Sequence, residues 1–409
     1  MLESILDAIS SQLQSFRQAI SDNLIAYLKD RPQVTLLGLL ILLAGACGGS
    51  FLLGGGPVNT IERLFFPTRF VITTTGEAGD WYDVYFTDPP QEYDPRNFAG
   101  EAPDALSVLI DQAQDSIHIA AFEFDLTPVA DALIDAHDRG VDVKWFTDDE
   151  HGLEADTESG HGQFQMLLDA GIPVRTDERQ GLMHDKFIVF DNEVVWTGST
   201  NLTRNGMFKN DNNVIVFYSD RMADKYEREF AELWKGKSSS ERRATIRRQT
   251  SMIEDTPVLV LFAPEDNAMD YLLPLVKQAK ESIHFMTFAF THDAMGQELV
   301  NRAKRGVDVR GVFESRNATT EHSEIHRLYC AGIDVLEDGN PANMHHKVFV
   351  IDDKIVVTGS YNFSNNSENT NDENLVFLSN YDVAAAYEQE FARVWADAVP
   401  PDAAEIICP

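Results

Sequence analysis

Two short stretches of this chain carry the same residue types at the same spacing, and those types suit an anionic substrate. The first is Met183-His184-Asp185-Lys186-Phe187-Ile188-Val189-Phe190-Asp191, followed after six residues by Gly198-Ser199-Thr200-Asn201. The second is Met344-His345-His346-Lys347-Val348-Phe349-Val350-Ile351-Asp352, followed after six residues by Gly359-Ser360-Tyr361-Asn362. Residues two apart on a strand share a face, so each stretch aims an imidazole and an ammonium the same way. Asp191-Asn192 and Asp352-Asp353 are turn formers, and the returning strand brings Ser199 and Asn201, or Ser360 and Asn362, back beside the histidine and lysine. Two such stretches facing each other set two imidazoles and two ammoniums around one anion. That arrangement suits in-line displacement at phosphorus, with attack and departure on opposite sides and cations on the equatorial oxygens. Lysine binds phosphate as a point charge and is not a usual metal ligand, so the set implies chemistry without a metal or cofactor. Asp191 and Asp352 complete each motif, although their place after the strand suits fixing a hairpin better than carrying protons.

The elements that position these residues are themselves repeated. Ser116-Ile117-His118 returns as Ser282-Ile283-His284, and Arg139-Gly140-Val141-Asp142-Val143 as Arg305-Gly306-Val307-Asp308-Val309, both 166 residues on. Ala170-Gly171-Ile172 returns as Ala331-Gly332-Ile333 and Trp234 as Trp395, now 161 residues on, so the second half is shorter around Asp148 to Gly162. Each half reads as a short strand (Val84 to Phe86; Val258 to Phe262), an amphipathic helix (Ala105 to Ala113; Met269 to Ala279) and an apolar strand (Ile117 to Phe124; Ile283 to Phe290). Helix, strand (Val141 to Phe146; Val307 to Phe313), helix and strand follow, then a late hairpin, Lys186 to Thr197 and Lys347 to Thr358. This predicts an α/β protein of two α/β/α lobes with mixed sheets, related by a pseudo-twofold, over 84–235 and 256–397. His118 and His284 fall in core strands and carry no expected role. Between the lobes, 236–255 reads as a linker, and Lys235, Lys237, Arg242, Arg243, Arg247 and Arg248 make its start basic.

The doubled motif resembles that of the phospholipase D superfamily, and the resemblance covers both repeats, roughly Val84 to Trp395. It implies one site between two lobes. One motif histidine attacks phosphorus to form a phosphohistidine; the other protonates the leaving alcohol and then activates water, with no metal. On this chain the pair is His184 and His345, with His184 the expected nucleophile on that precedent alone. Lys186, Lys347, Ser199, Ser360, Asn201 and Asn362 would clamp the phosphate. An acidic residue downstream of the motif holds the far nitrogen of a catalytic histidine in that family. Glu373 matches it and is expected on His345; the first-half counterpart is Asn212, with Asp211 as a substitute carboxylate. The expected catalytic set is therefore His184, Lys186, Asp191, His345, Lys347, Asp352 and Glu373.

The front of the chain differs. Val34 to Leu53 is twenty residues without a charge, about 30 Å as a helix, the thickness of a bilayer core. Ile5, Ile9, Leu13, Phe16 and Ile20 form one apolar stripe before it. The reading is an amphipathic segment over 1–33 and a retained transmembrane helix over 34–55; a cleaved signal and a lipoprotein processed at Cys47 are the alternatives. Arg17, Lys29 and Arg31 precede the span and Arg63 and Arg69 follow it, a slight excess that puts the catalytic part outside the cytoplasm. The three cysteines, Cys47, Cys330 and Cys408, have no metal-ligand spacing and allow at most one disulfide.

The net charge of −33 repels polyanions at long range. Phospholipid and membrane are therefore the favoured partners and nucleic acid the less favoured one, with the two lobes pairing inside a monomer. Four readings follow: a phospholipase D or cardiolipin-type hydrolase; an endonuclease of the same superfamily; a cardiolipin synthase-like transferase, in which an alcohol replaces water; and a non-catalytic membrane-bound binding protein, which two intact motifs disfavour.

Overall fold

A computed structural model describes residues 77–78, 81–87, 98–236 and 250–408, with isolated positions between 89 and 96. The expected amphipathic and transmembrane segments and most of the basic linker lie outside these residues. Among the described residues no helix is long and apolar enough to cross a membrane.

The described residues form two eight-stranded sheets. The first contains β1 (Glu77–Ala78), β2 (Tyr82–Phe86), β3 (Ser116–Ala121), β4 (Asp142–Thr147), β5 (Val174–Thr176), β6 (Lys186–Phe190), β7 (Val194–Gly198) and β8 (Asn213–Tyr218). The second contains β9 (Ser251–Ile253), β10 (Thr256–Ala263), β11 (Ser282–Thr287), β12 (Asp308–Phe313), β13 (Asp334–Glu337), β14 (Lys347–Ile351), β15 (Ile355–Gly359) and β16 (Glu373–Ser379). Their spatial orders are β1-β2-β8-β7-β6-β3-β4-β5 and β9-β10-β16-β15-β14-β11-β12-β13, so the halves share one topology. Strand β9 falls inside the segment read as linker.

The sheets are mixed for a local reason. β3 and β4 are parallel because helix α2 (Thr127–Asp138) carries the chain back across the face, as a parallel pair requires. β6 and β7 are joined by the tight turn at Asp191-Asn192, and β7 runs antiparallel to both β6 and β8. Helix α1 (Glu101–Gln112) buries Ala105, Leu106, Leu109 and Ile110, a stripe of helical period.

The faces of each sheet go to different cores. On β14, Val348 and Val350 join a core shared by both lobes. Phe349 and Ile351 point the other way, among residues of α4 (Met269–Gln278) and α5 (Asp293–Ala303). Helix α3 (Asp220–Trp234) and helix α6 (Tyr381–Asp397) lie in the shared core. Tyr226 of α3 meets Phe187 of one lobe edge-on at 5.0 Å and Phe262 of the other at 5.2 Å. Tyr387 of α6 meets Phe86 across the same join at 5.1 Å. His118 and His284 hold strand to helix: their Nδ1 atoms sit 2.8 and 2.7 Å from Glu227 and Glu388, and their rings stack on Phe230 and Phe391. One disulfide forms, Cys330 to Cys408; Cys47 lies outside the described residues.

The motif aspartates belong to the fold. Asp191 and Asn192 take φ of 53° and 55°, and Asp352 and Asp353 take 53° and 49°, the positive values of primed hairpin turns. The Asp191 carboxylate accepts the backbone N–H groups of Gln114, Asp115 and Ser116. Asp352 does the same for Lys280, Glu281 and Ser282. Each thus ties a hairpin tip to the start of the neighbouring strand. Asp191→Ala or Asp352→Ala strands three amide donors and should lower unfolding free energy by about 2–3 kcal/mol, read as a fall in the urea midpoint; an unchanged midpoint would count against this anchoring.

Candidate active site

The residue pair opening each motif stands where the two lobes meet. Lys186 and Lys347 begin β6 and β14. The histidines, expected on the strands, precede them, because the chain there leaves its own sheet to pair with the other lobe. Met183 bridges to Asp372 and Met344 to Asp211. The amide of His184 donates to the Asp372 carbonyl (2.9 Å) and that of His345 to the Asp211 carbonyl (2.8 Å). A carboxylate fixes each approach from behind: Asp148 accepts the Met183 amide at 3.0 Å and Glu314 accepts the Met344 amide at 2.6 Å.

The side-chain partners also cross the join. His184 Nδ1 donates to Glu373 Oε2 of the second lobe at 2.7 Å. His345 Nδ1 donates to Asn212 Oδ1 (3.0 Å) and the Ser199 carbonyl (3.1 Å) of the first. This corrects the expected pairing of Glu373 with His345 in its own half. Asp211 does not substitute either, since its carboxylate takes Arg393 and Asn340. With Nδ1 donating in both rings, each neutral imidazole presents its Nε2 lone pair.

Each orienting group is itself held. Ser360 Oγ donates to Glu373 Oε2 at 2.7 Å, and Ser367 Oγ to Oε1 at 3.0 Å. Ser199 Oγ donates to Asn212 Oδ1 at 2.8 Å, and Asn212 Nδ2 donates to the Gly206 carbonyl. Ser199 and Ser360 are fully buried, and their hydroxyls serve the histidine partners rather than the cleft, in contrast to the expected phosphate clamp. Glycine must precede each serine: a Cβ on Gly198 or Gly359 would lie 2.2 or 2.1 Å from the carbonyl of Asn213 or Asn374. Asp191 and Asp352 stand at the far ends of β6 and β14, about 16 Å from the lysines at strand rise, and so are not brought into the site.

The ammoniums are placed alike. Lys186 Nζ donates to the His184 carbonyl and Lys347 Nζ to the His345 carbonyl, both at 2.9 Å. They lie over Phe122 and Phe288 at 5.2 and 4.7 Å, and those rings also meet His184 and His345 edge-on. Reading of the motifs alone missed both phenylalanines, although Phe122-Glu123-Phe124 and Phe288-Ala289-Phe290 recur at the same 166-residue shift.

Burial and mutual repulsion set the charges. Burial pushes His184 down to about 4 against the pull of Glu373, with the lysines adding to the depression. His345 is held well below the usual range by burial and then by Lys347, Lys186 and His184. Burial lowers Lys186 to about 8, and lowers Lys347 with Lys186 adding. Burial alone would raise Glu373, but His184, Lys186 and Ser360 together hold it low and ionised. A cleft crowded with potential cations favours an entering anion.

A family model described as "Cardiolipin synthase, PLD-like domain" matches residues 106–234 and 272–395, once in each lobe and over more than half of the chain. The mitochondrial cardiolipin hydrolase of Xenopus tropicalis is 33% identical over 135 residues, 33% of this chain and 64% of that protein. A phospholipase D of Rickettsia conorii is 30% identical over 141 residues, 34% of this chain and 70% of that protein. The aligned stretch therefore spans about two thirds of each relative. In fold, the chain is similar to the phosphatidylserine synthase of Haemophilus influenzae, with a TM-score of 0.57 at 14% identity over 72% of this chain and 83% of that one. Matched independently in both halves, the chain belongs to the phospholipase D-like family.

Proposed function

We propose that the protein is a phosphodiesterase that hydrolyses phospholipid diesters through a phosphohistidine on His184. The observation that carries this reading is the unequal pair of cross-lobe bonds, His184 to Glu373 and His345 to Asn212. A carboxylate partner strengthens an imidazole as a nucleophile and steadies the positive ring formed when Nε2 bonds to phosphorus; a neutral amide leaves its imidazolium the stronger acid. His184 Nε2 attacks phosphorus, the leaving oxygen departs on the far side, and His345 delivers a proton to it. Water then attacks the phosphohistidine with His345 as base, giving a phosphomonoester and free His184. Depression of His184 to about 4 keeps it neutral and nucleophilic at ordinary pH. A bound diester anion offsets Lys186 and Lys347 and lifts His345 toward the protonated form its first role needs. The lysines, with Asn201 and Asn362, would hold the non-bridging oxygens.

A lipid substrate is supported by the names of the two relatives and by the −33 net charge, which opposes a polyanion. The expected membrane span would keep the cleft near lipid, and the Cys330–Cys408 disulfide suits a compartment outside the cytoplasm.

Four measurements follow from this reading. With unactivated alkyl diesters, His184→Ala and His345→Ala should each lower kcat/KM by about 10³-fold or more. With a nitrophenyl diester, which leaves without a proton, His345→Ala should recover much of its first step while His184→Ala stays inactive; the opposite pattern would exchange the two roles. Lys186 is protonated below about 8 and neutral above it, so kcat/KM should fall as pH rises through that value, and a rate flat to pH 10 would refute the ammonium's role. Labelled phospholipid vesicles should lose headgroup while plasmid stays intact, with chelator making little difference; nicking alone would favour the nuclease, and chelator-sensitive turnover would mean a metal takes part.

A further inference from the structure

Besides the unequal partners of the two histidines, Glu373 and Asn212, the halves of the cleft differ in a second charge. Phe122 and Phe288 occupy equivalent places against His184 and His345. The residue after Phe122 is Glu123, and the residue after Phe288 is Ala289. Glu123 Oε2 accepts a hydrogen bond from Asn201 Nδ2 at 3.0 Å. Ala289 offers no acceptor to Asn362, the equivalent amide in the other half. Asn201 and Asn362 each keep a buried side-chain carbonyl with no hydrogen-bond partner. Glu123 is partly exposed. Burial raises its carboxyl, Lys186 and His151 pull it back, and Asp125 pushes it up again. His151 reaches this corner from a π-helical turn, Asp149–Glu154, peculiar to the longer first half, and its ring lies 5.1 Å from that of Phe122.

Both lysines feel Glu373, but Lys186 also feels Glu123, Asp185 and Asp148 where Lys347 has Glu314, and Asn201 has its donor taken by Glu123 where Asn362 stands by Ala289. A full negative charge is therefore better accommodated at the second lobe than at the first. A diester carries one negative charge shared by its two non-bridging oxygens, so the oxygen at the first-lobe corner bears only part of it. Hydrolysis adds one water, releases the alcohol and leaves a phosphomonoester, whose second ionisation lies near pH 6. Above that pH the product carries two charges and must set an anionic oxygen against Glu123.

We propose that Glu123 is a specificity-determining residue that makes the cleft favour the single charge of a phosphodiester over the double charge of a phosphomonoester, and so speeds departure of the product. This rests on the phosphodiesterase reading above and adds to it the charge class that the site selects.

Equilibrium binding tests it without turnover. Inorganic phosphate and dimethyl phosphate are titrated at pH 8 into the wild-type protein, Glu123→Gln and Glu123→Asp. Glu123→Gln keeps an acceptor for Asn201 but removes the charge. It should tighten inorganic phosphate relative to dimethyl phosphate by roughly tenfold, the scale of one charge in a partly buried site, and Glu123→Asp should restore the wild-type ratio. An unchanged ratio in Glu123→Gln, with both anions still bound, would overturn the assignment of Glu123 and leave the phosphodiesterase reading standing. Failure of the wild-type protein to bind either anion would overturn both.

Discussion

Much of the structure is organised around a single bond, the 2.7 Å contact from His184 Nδ1 to the buried carboxylate of Glu373. A fully buried carboxylate is costly unless it is ionised against a cation or well supplied with donors. Glu373 has His184 ahead of it, Lys186 nearby, and Ser360, Ser367 and Asn371 around its oxygens. The histidine comes from one lobe and the carboxylate from the other, so neither has its partner until the lobes pack. The apolar join through Phe187, Tyr226, Phe262 and Tyr387 is thus a condition of the pair's assembly as well as of stability.

The requirement explains why the sheets end as they do. A strand confined to its own sheet would keep His184 inside its lobe. Instead the chain ahead of β6 and β14 forms a two-bond ladder with the opposite lobe at Asp372 and Asp211. Asp148 and Glu314 secure the amides one residue earlier. Gly198 and Gly359 let the returning strands press against the carbonyls of Asn213 and Asn374, which brings Ser199 and Ser360 beneath the partners of the two rings.

Much of this was legible in the sequence. The repeated Ser-Ile-His and Arg-Gly-Val-Asp-Val segments indicate that the halves share one succession of elements, and the spacing from Lys186 to Gly198 indicates the hairpin. The unbroken apolar run of Val348 to Ile351 suits a strand covered on both faces. Pairing across the join was not legible, because periodicity within one segment says nothing about which distant segment lies opposite. Glu373 can be singled out in the sequence as an acidic residue downstream of the motif, but its partner is His184 rather than the expected His345, because nearness in sequence is not nearness in space. Ser199 and Ser360 were read as facing the substrate for a similar reason: a hydroxyl close to a catalytic histidine can lie below the ring as easily as above it. Glu123 and the two phenylalanines sit outside the motif, and only a comparison of the halves position by position reveals them.

The unequal partners of His184 and His345 depend on both lobes being encoded in one chain. Were the same cleft assembled from two identical copies, rotational symmetry would oblige both rings to face the same residue, and any change beside one ring would be repeated beside the other. Covalent fusion removes that obligation. Position 373 can stay acidic while position 212 is an amide, and each half is free to drift toward a single task.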